Sequence, residues 1–169
     1  MKMTELFLAQ LEAEAARTRR ALEHVPEGRD EWKPHEKSMA FGRLAMLVAR
    51  MPSWIRMVVT QDELDINPTG GSNFSQQPLR TSAELVQALD EGTAEAREAL
   101  ASTTDEHLMS KWRLLASGRV VSEEQRYIVI RDTFAHLAHH RGQLTVYLRL
   151  NNATVPAIYG PSADDTRFA

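Results

Sequence analysis

Three of the six histidines in the chain lie within five positions, in the stretch FAHLAHHRGQL at 134–144. On an α-helix His136 and His140 are one turn apart on the same face, so both imidazoles can reach one metal ion or one substrate group. His139 points in another direction. A structural role is the alternative, because six histidines placed at random in a chain of this length give a pair at this spacing roughly one time in five or six. Hydrogen bonds would then satisfy the rings.

The residues around this pair limit the chemistry. The three residues between the histidines are LAH, so the glutamate of an HExxH zinc protease is absent and that mechanism is excluded. A neighbouring stripe of the same helix is wholly apolar: Ile130, Phe134, Leu137, Leu144 and Leu148. The histidines therefore lie at the edge of the core or inside it, where an imidazole without a partner costs about 1–3 kcal/mol.

Four amphipathic segments are available to position this stretch. Apolar or small residues recur at spacings of three and four in 8–25, 41–58, 85–99 and 129–150. Pro52 is expected to bend the second segment, because proline removes a backbone donor. These segments predict an all-α protein, a four-helix bundle formed by residues 1–169 as a single domain.

Capping boxes and turn residues mark the ends of these segments. Thr81 with Glu84 predicts the start of the third helix, and Ser122 with Gln125 predicts a last helix from about 123 to 150. Residues 62–80 form one long crossover loop. Ser117-Gly118, between short apolar stretches, predicts a small hairpin before the last helix.

The composition excludes several classes of protein. The chain has no cysteine, which removes disulfides, thiolate ligands and a cysteine nucleophile. Its net charge is −3 and its basic residues are scattered, so we expect no nucleic-acid partner. It lacks a secretory signal pattern and any apolar run of membrane-spanning length. We therefore expect a cytoplasmic protein without a membrane partner.

Three segments resemble the DinB/YfiT-like superfamily of small bacterial four-helix bundles. They are EWKPHEKSMAFGRLAMLVARMPSWI at 31–55, HLAHHRGQLTVYLRL at 136–150 and VPAIYGPSADD at 155–165. Proteins of this family typically bind a divalent transition metal through one histidine of the second helix and an i, i+4 pair of the last. The resemblance implies that His136 and His140 are that pair, with Zn, Ni, Fe or Mn as the metal.

The second helix departs from the family pattern. Leu47 stands where the resemblance implies the third histidine, and each lost protein ligand lowers metal affinity. His35, Asp62 and Glu63 are conceivable substitutes, and nothing in the sequence selects one of them.

The resemblance implies two functional alternatives. The first is a metal-dependent enzyme, a transferase or isomerase, that uses a low-molecular-weight thiol. In it Leu47, Gln143 and Tyr147 would line the pocket, while Arg141 would either anchor a substrate carboxylate or form a salt bridge. The second is a degenerate, non-catalytic bundle that binds a small ligand or acts as a stress-associated interaction module. The expected partner is a small-molecule substrate or ligand. Relatives often pair through helix faces, so a homodimer is one expected state.

Overall fold

The computed structural model describes residues 2–69 and 78–167. The helices in this part of the chain are α1 (Met3–Leu22), α2 (Phe41–Arg50), α3 (Ser53–Thr60), α4 (Ser82–Ser102), α5 (Asp105–Leu108) and α6 (Arg126–Leu150). The strands are β1 (Glu63–Asp65), β2 (Lys111–Ala116) and β3 (Arg119–Gln125). None of these helices is long and apolar enough to cross a lipid bilayer.

The long helices form a four-helix bundle, in which α2 and α3 together take the place of one helix; each of these four helical segments is called a leg of the bundle. The helix α4 packs against α1, α2 and α3, and α6 packs against the same three helices. The turn at Met51-Pro52 divides the second leg, as the proline predicts. Close packing explains a glycine in α4, since a Cβ added at Gly92 would lie 3.2 Å from the backbone nitrogen of Ser53.

A three-stranded sheet corrects the all-α prediction. The strand order is β1-β2-β3, with β1 parallel and β3 antiparallel to β2. The predicted hairpin is confirmed, because Ser117 and Gly118 form its turn with positive φ angles of 53° and 75°. The long predicted connection at 62–80 contains β1, and its residues 70–77 lie outside the described part of the chain.

The predicted start of the last helix is wrong. Ser122 and Gln125 belong to β3, where Ser122 pairs with Leu114 and Gln125 with Lys111. Pairing with β2 holds residues 119–125 in an extended strand, so α6 begins only at Arg126. The backbone nitrogen of Arg126 donates to the carbonyl oxygen of Ser110, at the start of the hairpin.

The core consists of two apolar clusters along the bundle. One contains Phe41, Leu44, Val48, Leu85, Leu89, Leu137, Leu144 and Tyr147. The other contains Phe7, Leu11, Ile55, Val58, Leu100, Trp112, Ile130 and Phe134. On α6 the division falls between Phe134 and Leu137, which is the turn where the histidine stretch begins.

Candidate functional site

The structure brings the two predicted imidazole rings, those of His136 and His140, together on one face of α6. The Nε2 atoms of His136 and His140 are 2.8 Å apart, and the ring centroids are 4.6 Å apart. His140 is half-buried and His136 is exposed. A separation of 2.8 Å is a hydrogen-bond distance, so one of the two nitrogens donates to the other.

Gln143 and His139 extend this contact into a chain of four side chains. His140 Nδ1 is 2.7 Å from Gln143 Oε1, and Gln143 Nε2 is 3.1 Å from His139 Nε2. The expectation that His139 points elsewhere is therefore wrong. The spacing contained the signal, because Gln143 follows His139 by four positions and His140 by three, and both spacings place helical neighbours in contact.

Trp54 of α3 forms the opposite side of the site. Its ring centroid is 5.6 Å from that of His136, with an interplanar angle of 59°. The local spacing around Trp54 could not predict this contact, because the two residues lie on different helices. The indole shields one side of His136 and gives the site an aromatic surface.

Leu47 lies on the leg that faces the histidines. The α2–α3 leg runs antiparallel to α6, since Phe41 contacts Tyr147 at a centroid distance of 5.7 Å while Trp54 contacts His136. In the sequence, Leu47 is about midway between Phe41 and Trp54, whose aromatic partners on α6 are Tyr147 and His136. It is partly buried against the core cluster that contains Leu144.

The environment of His136 favours the neutral ring. Partial burial lowers the pKa of His136 below its ordinary value, and the neighbouring imidazoles of His140 and His139 lower it further. A neutral His136 can both donate and accept a hydrogen bond.

The side chains present do not fit a three-ligand metal site. No group of three or more histidine, aspartate or glutamate side chains in the described ranges could hold a metal ion. The conceivable substitutes are engaged elsewhere: His35 Nδ1 accepts from the backbone nitrogen of Lys37, Asp62 pairs with Arg126, and Glu63 pairs with Arg113. In addition, two imidazoles on one tetrahedral zinc ion would have nitrogens about 3.3 Å apart, given Zn–N distances of about 2.0–2.1 Å.

Arg141 belongs to a different environment from its neighbour His140. Its side chain is 1% exposed and pairs at 2.6 Å with Glu14 of α1, whose side chain is 3% exposed. It also donates to Thr18 Oγ1 at 3.0 Å and to the hydroxyl of Tyr159 at 2.5 Å. Of the two predicted roles, the salt bridge is the one that this geometry displays.

The other predicted pocket residue, Tyr147, lies in the core. Its hydroxyl donates to the carbonyl oxygen of Met39, and its ring makes edge contacts with Trp32 and Phe41. The structure thus groups His136 and His140 with Gln143, His139 and Trp54. It places Arg141 and Tyr147 in separate buried contacts.

Comparison with known proteins agrees with this fold. The sequence pattern of the DinB family matches residues 1–167. A DinB-like protein from Bacillus cereus has 19% sequence identity and a TM-score of 0.69, with 92% of this chain and 97% of that chain covered. A DinB-like protein from Bacillus subtilis has 17% identity and a TM-score of 0.66, with coverages of 88% and 94%. No functionally curated protein matches the chain.

The fold and the sequence together define a helical bundle of the DinB type that also contains a small three-stranded sheet. The chain belongs to the DinB family.

Proposed function

We propose that this DinB-family protein binds a small ligand without a resident metal and is not itself a metalloenzyme. The observation that carries the proposal is Leu47, which occupies the position where the family resemblance implies the third histidine ligand. With two imidazoles alone, water would fill the remaining positions of the metal and the affinity would be low.

The chemistry of the site supports a small aromatic ligand. Trp54 offers an aromatic surface, Leu47 adds an apolar one, and His136 carries hydrogen-bonding nitrogens at the exposed edge. An aromatic surface beside a few polar groups is typical of small-molecule sites.

Metal analysis and probe binding test the proposal together. We expect tag-free protein to contain far less than one transition-metal ion per chain. We also expect benzamide or benzoate, but not acetamide, to shift the nuclear magnetic resonance (NMR) signal of the Trp54 indole. The matched control is Trp112, a buried tryptophan of β2 whose indole should not respond. A full complement of metal, or no response to either aromatic probe, would overturn the proposal.

A second candidate is the thiol-dependent metalloenzyme, and one observation favours it. His140 donates from Nδ1 toward Gln143 Oε1, an arrangement that orients metal-ligating histidines in many proteins. In such an enzyme the metal would lower the pKa of a borrowed thiol, which fits a chain without cysteine. His136 and His140 would hold the metal.

Thiol-transfer assays distinguish the two candidates. If the protein is the thiol-dependent enzyme, the rate of thiol transfer should rise with added Zn²⁺, Ni²⁺, Fe²⁺ or Mn²⁺ and fall in a His136→Asn variant. On the proposal that we favour, neither change alters the background rate.

The expected homodimer and cytoplasmic location remain predictions, as does the expected lack of nucleic-acid and membrane partners. Sedimentation velocity over a wide concentration range tests the dimer directly. A sedimentation coefficient that stays at the value for a 19.1 kDa chain would contradict it.

A further inference from the structure

The four polar side chains on α6 form one continuous hydrogen-bonded chain. It runs from His136 to His140, then through Gln143 to His139, with contacts of 2.8, 2.7 and 3.1 Å. A glutamine has one carbonyl oxygen that accepts and one NH₂ group that donates. The orientation of the Gln143 amide therefore decides which atom donates and which accepts at each hydrogen bond of the series.

Gln143 directs its carbonyl oxygen at His140, so His140 must carry its proton on Nδ1. A neutral imidazole with a proton on Nδ1 has a lone pair on Nε2, and this atom accepts from His136 Nε2–H. At the other end the amide of Gln143 donates to His139 Nε2, so His139 also carries its proton on Nδ1. The network therefore corresponds to one set of tautomers, with the proton on Nε2 of His136 and on Nδ1 of both His139 and His140.

This arrangement leaves no free lone pair at the point where the two histidines converge. His136 Nε2 carries a proton, and the lone pair of His140 Nε2 is occupied by it. A metal ion bound there would require His136 to move its proton to Nδ1, and the two nitrogens would have to separate by about 0.5 Å from their 2.8 Å contact.

We infer that the His136–His140–Gln143–His139 chain is a tautomer-fixed hydrogen-bond network that takes the place of a resident metal and presents His136 Nδ1 as a hydrogen-bond acceptor. It favours an uncharged aromatic ligand with an N–H or O–H group. Among the described residues, the side-chain hydrogen bonds found for these four residues join them to one another, and none of these bonds supplies a fixed positive charge to an anion. The ligand class depends on the proposed function, whereas the tautomers do not.

Long-range proton–nitrogen NMR correlation on ¹⁵N-labelled protein measures the tautomers directly. The experiment is performed at a pH of about 8, above the ordinary histidine pKa of about 6.5. We expect His136 to carry its proton on Nε2, and His139 and His140 to carry theirs on Nδ1. The opposite pattern, or the same unresolved mixture at all three rings, would refute the inference.

A glutamine substitution tests whether the amide fixes the direction. In Gln143→Leu we expect His140 and His139 to become mixtures of both tautomers. The matched control is Gln87→Leu, which removes another helical glutamine that donates to Glu91 on α4 and should leave all three rings unchanged. Unchanged tautomers in Gln143→Leu would show that the amide does not set them.

Zinc and aromatic probes complete the test. Added Zn²⁺ alone should move the His136 proton from Nε2 to Nδ1 only at concentrations far above the protein concentration, and stoichiometric conversion would overturn the inference.

Benzamide should bind about fivefold more tightly than benzoate, the ratio expected for one hydrogen bond. Failure of both probes would contradict the proposed function, while the tautomers would still be measured. Tighter benzoate binding with the expected tautomers would overturn the ligand class alone.

Discussion

Arg141 and His140 are consecutive residues with opposite surroundings. Arg141 is enclosed between α6 and α1, where Glu14 neutralises it, whereas His140 lies on the side of α6 that faces α2 and α3. Successive residues of a helix differ in direction by about 100°. One helical turn can therefore hold a stabilising ion pair and part of a ligand site at once.

Removing one partner of the buried Arg141–Glu14 ion pair should strongly destabilise the protein. We expect Arg141→Met to lower the free energy of unfolding by about 3 kcal/mol, because the buried Glu14 would lose its buried partner and keep only the partly exposed Arg17 as a cation. Urea denaturation measures the change. The control is Arg97→Met, which breaks an exposed pair with Glu12 and should cost less than about 1 kcal/mol. Equal effects of the two substitutions would contradict this assignment.

A third imidazole should create a metal site that the natural chain lacks. We expect Leu47→His to raise Zn²⁺ affinity at least about tenfold, a gain of ~1.4 kcal/mol, because it restores the third histidine that the family resemblance implies at this position. Titration calorimetry measures the affinity, with Leu47→Asn as a polar control that should gain much less. Unchanged affinity in Leu47→His would mean that the side chain at this position does not reach the pair.

At the scale of elements, α6 connects the sheet to the bundle. Its first residue, Arg126, is 2% exposed and donates to the carbonyl oxygens of Val58 and Gln61 at the end of α3. The hairpin turn is tied to β1 by Asp65, which accepts from the backbone nitrogens of Ser117 and Gly118. The sheet therefore closes one end of the bundle between α3 and α6.

Two glycines in these elements should respond to alanine in opposite ways. Gly118 has a φ of 75°, so Gly118→Ala should destabilise the hairpin by about 1 kcal/mol or more. Gly142 is inside α6 with no atom within 4 Å of an added Cβ, so Gly142→Ala should stabilise the protein by about 0.5–1 kcal/mol. Thermal and urea unfolding measure both changes. A destabilising effect of Gly142→Ala would show that the protein requires the backbone flexibility of glycine at this position.

At the scale of the whole molecule, the C-terminal segment joins α1 to α6. The Tyr159 hydroxyl contacts Glu14 at 3.2 Å as well as Arg141, and the Arg17 guanidinium lies 4.7 Å from the centre of its ring. Asp165 accepts from the backbone nitrogen of Ala157, a buried residue. The side chain of Arg167 and then this backbone hydrogen bond hold the pKa of Asp165 well below its usual range.

Removal of this segment should destabilise the entire bundle. We expect a chain ending at Asn152 to lose at least about 2 kcal/mol of unfolding free energy, and about 4–8 °C in Tm, because the Arg141–Glu14 pair would become accessible to water. Differential scanning calorimetry measures the loss. Arg167→Ala, which removes only an exposed partner of Asp165, is the control and should leave Tm nearly unchanged. A truncated chain with the Tm of the full chain would show that the segment does not stabilise the bundle.

The sequence by itself determined the features that depend on neighbours in the chain. Helical periodicity predicted the four legs, Pro52 predicted the division of the second leg, and Ser117-Gly118 predicted the hairpin. The i, i+4 spacing brought His136 and His140 together, because helix geometry alone sets that distance. The resemblance in the histidine stretch also identified the family.

Only the tertiary structure decided the features that depend on distant partners. Ser122 does not cap a helix, because it pairs with Leu114 in the sheet. Arg141 forms a salt bridge because Glu14, which lies 127 positions earlier in the chain, packs beside it. The contact between Trp54 and His136 likewise required two helices to be placed side by side. Local spacing contains no information about which remote side chain will fill a space or neutralise a charge, because that choice depends on how all the elements pack.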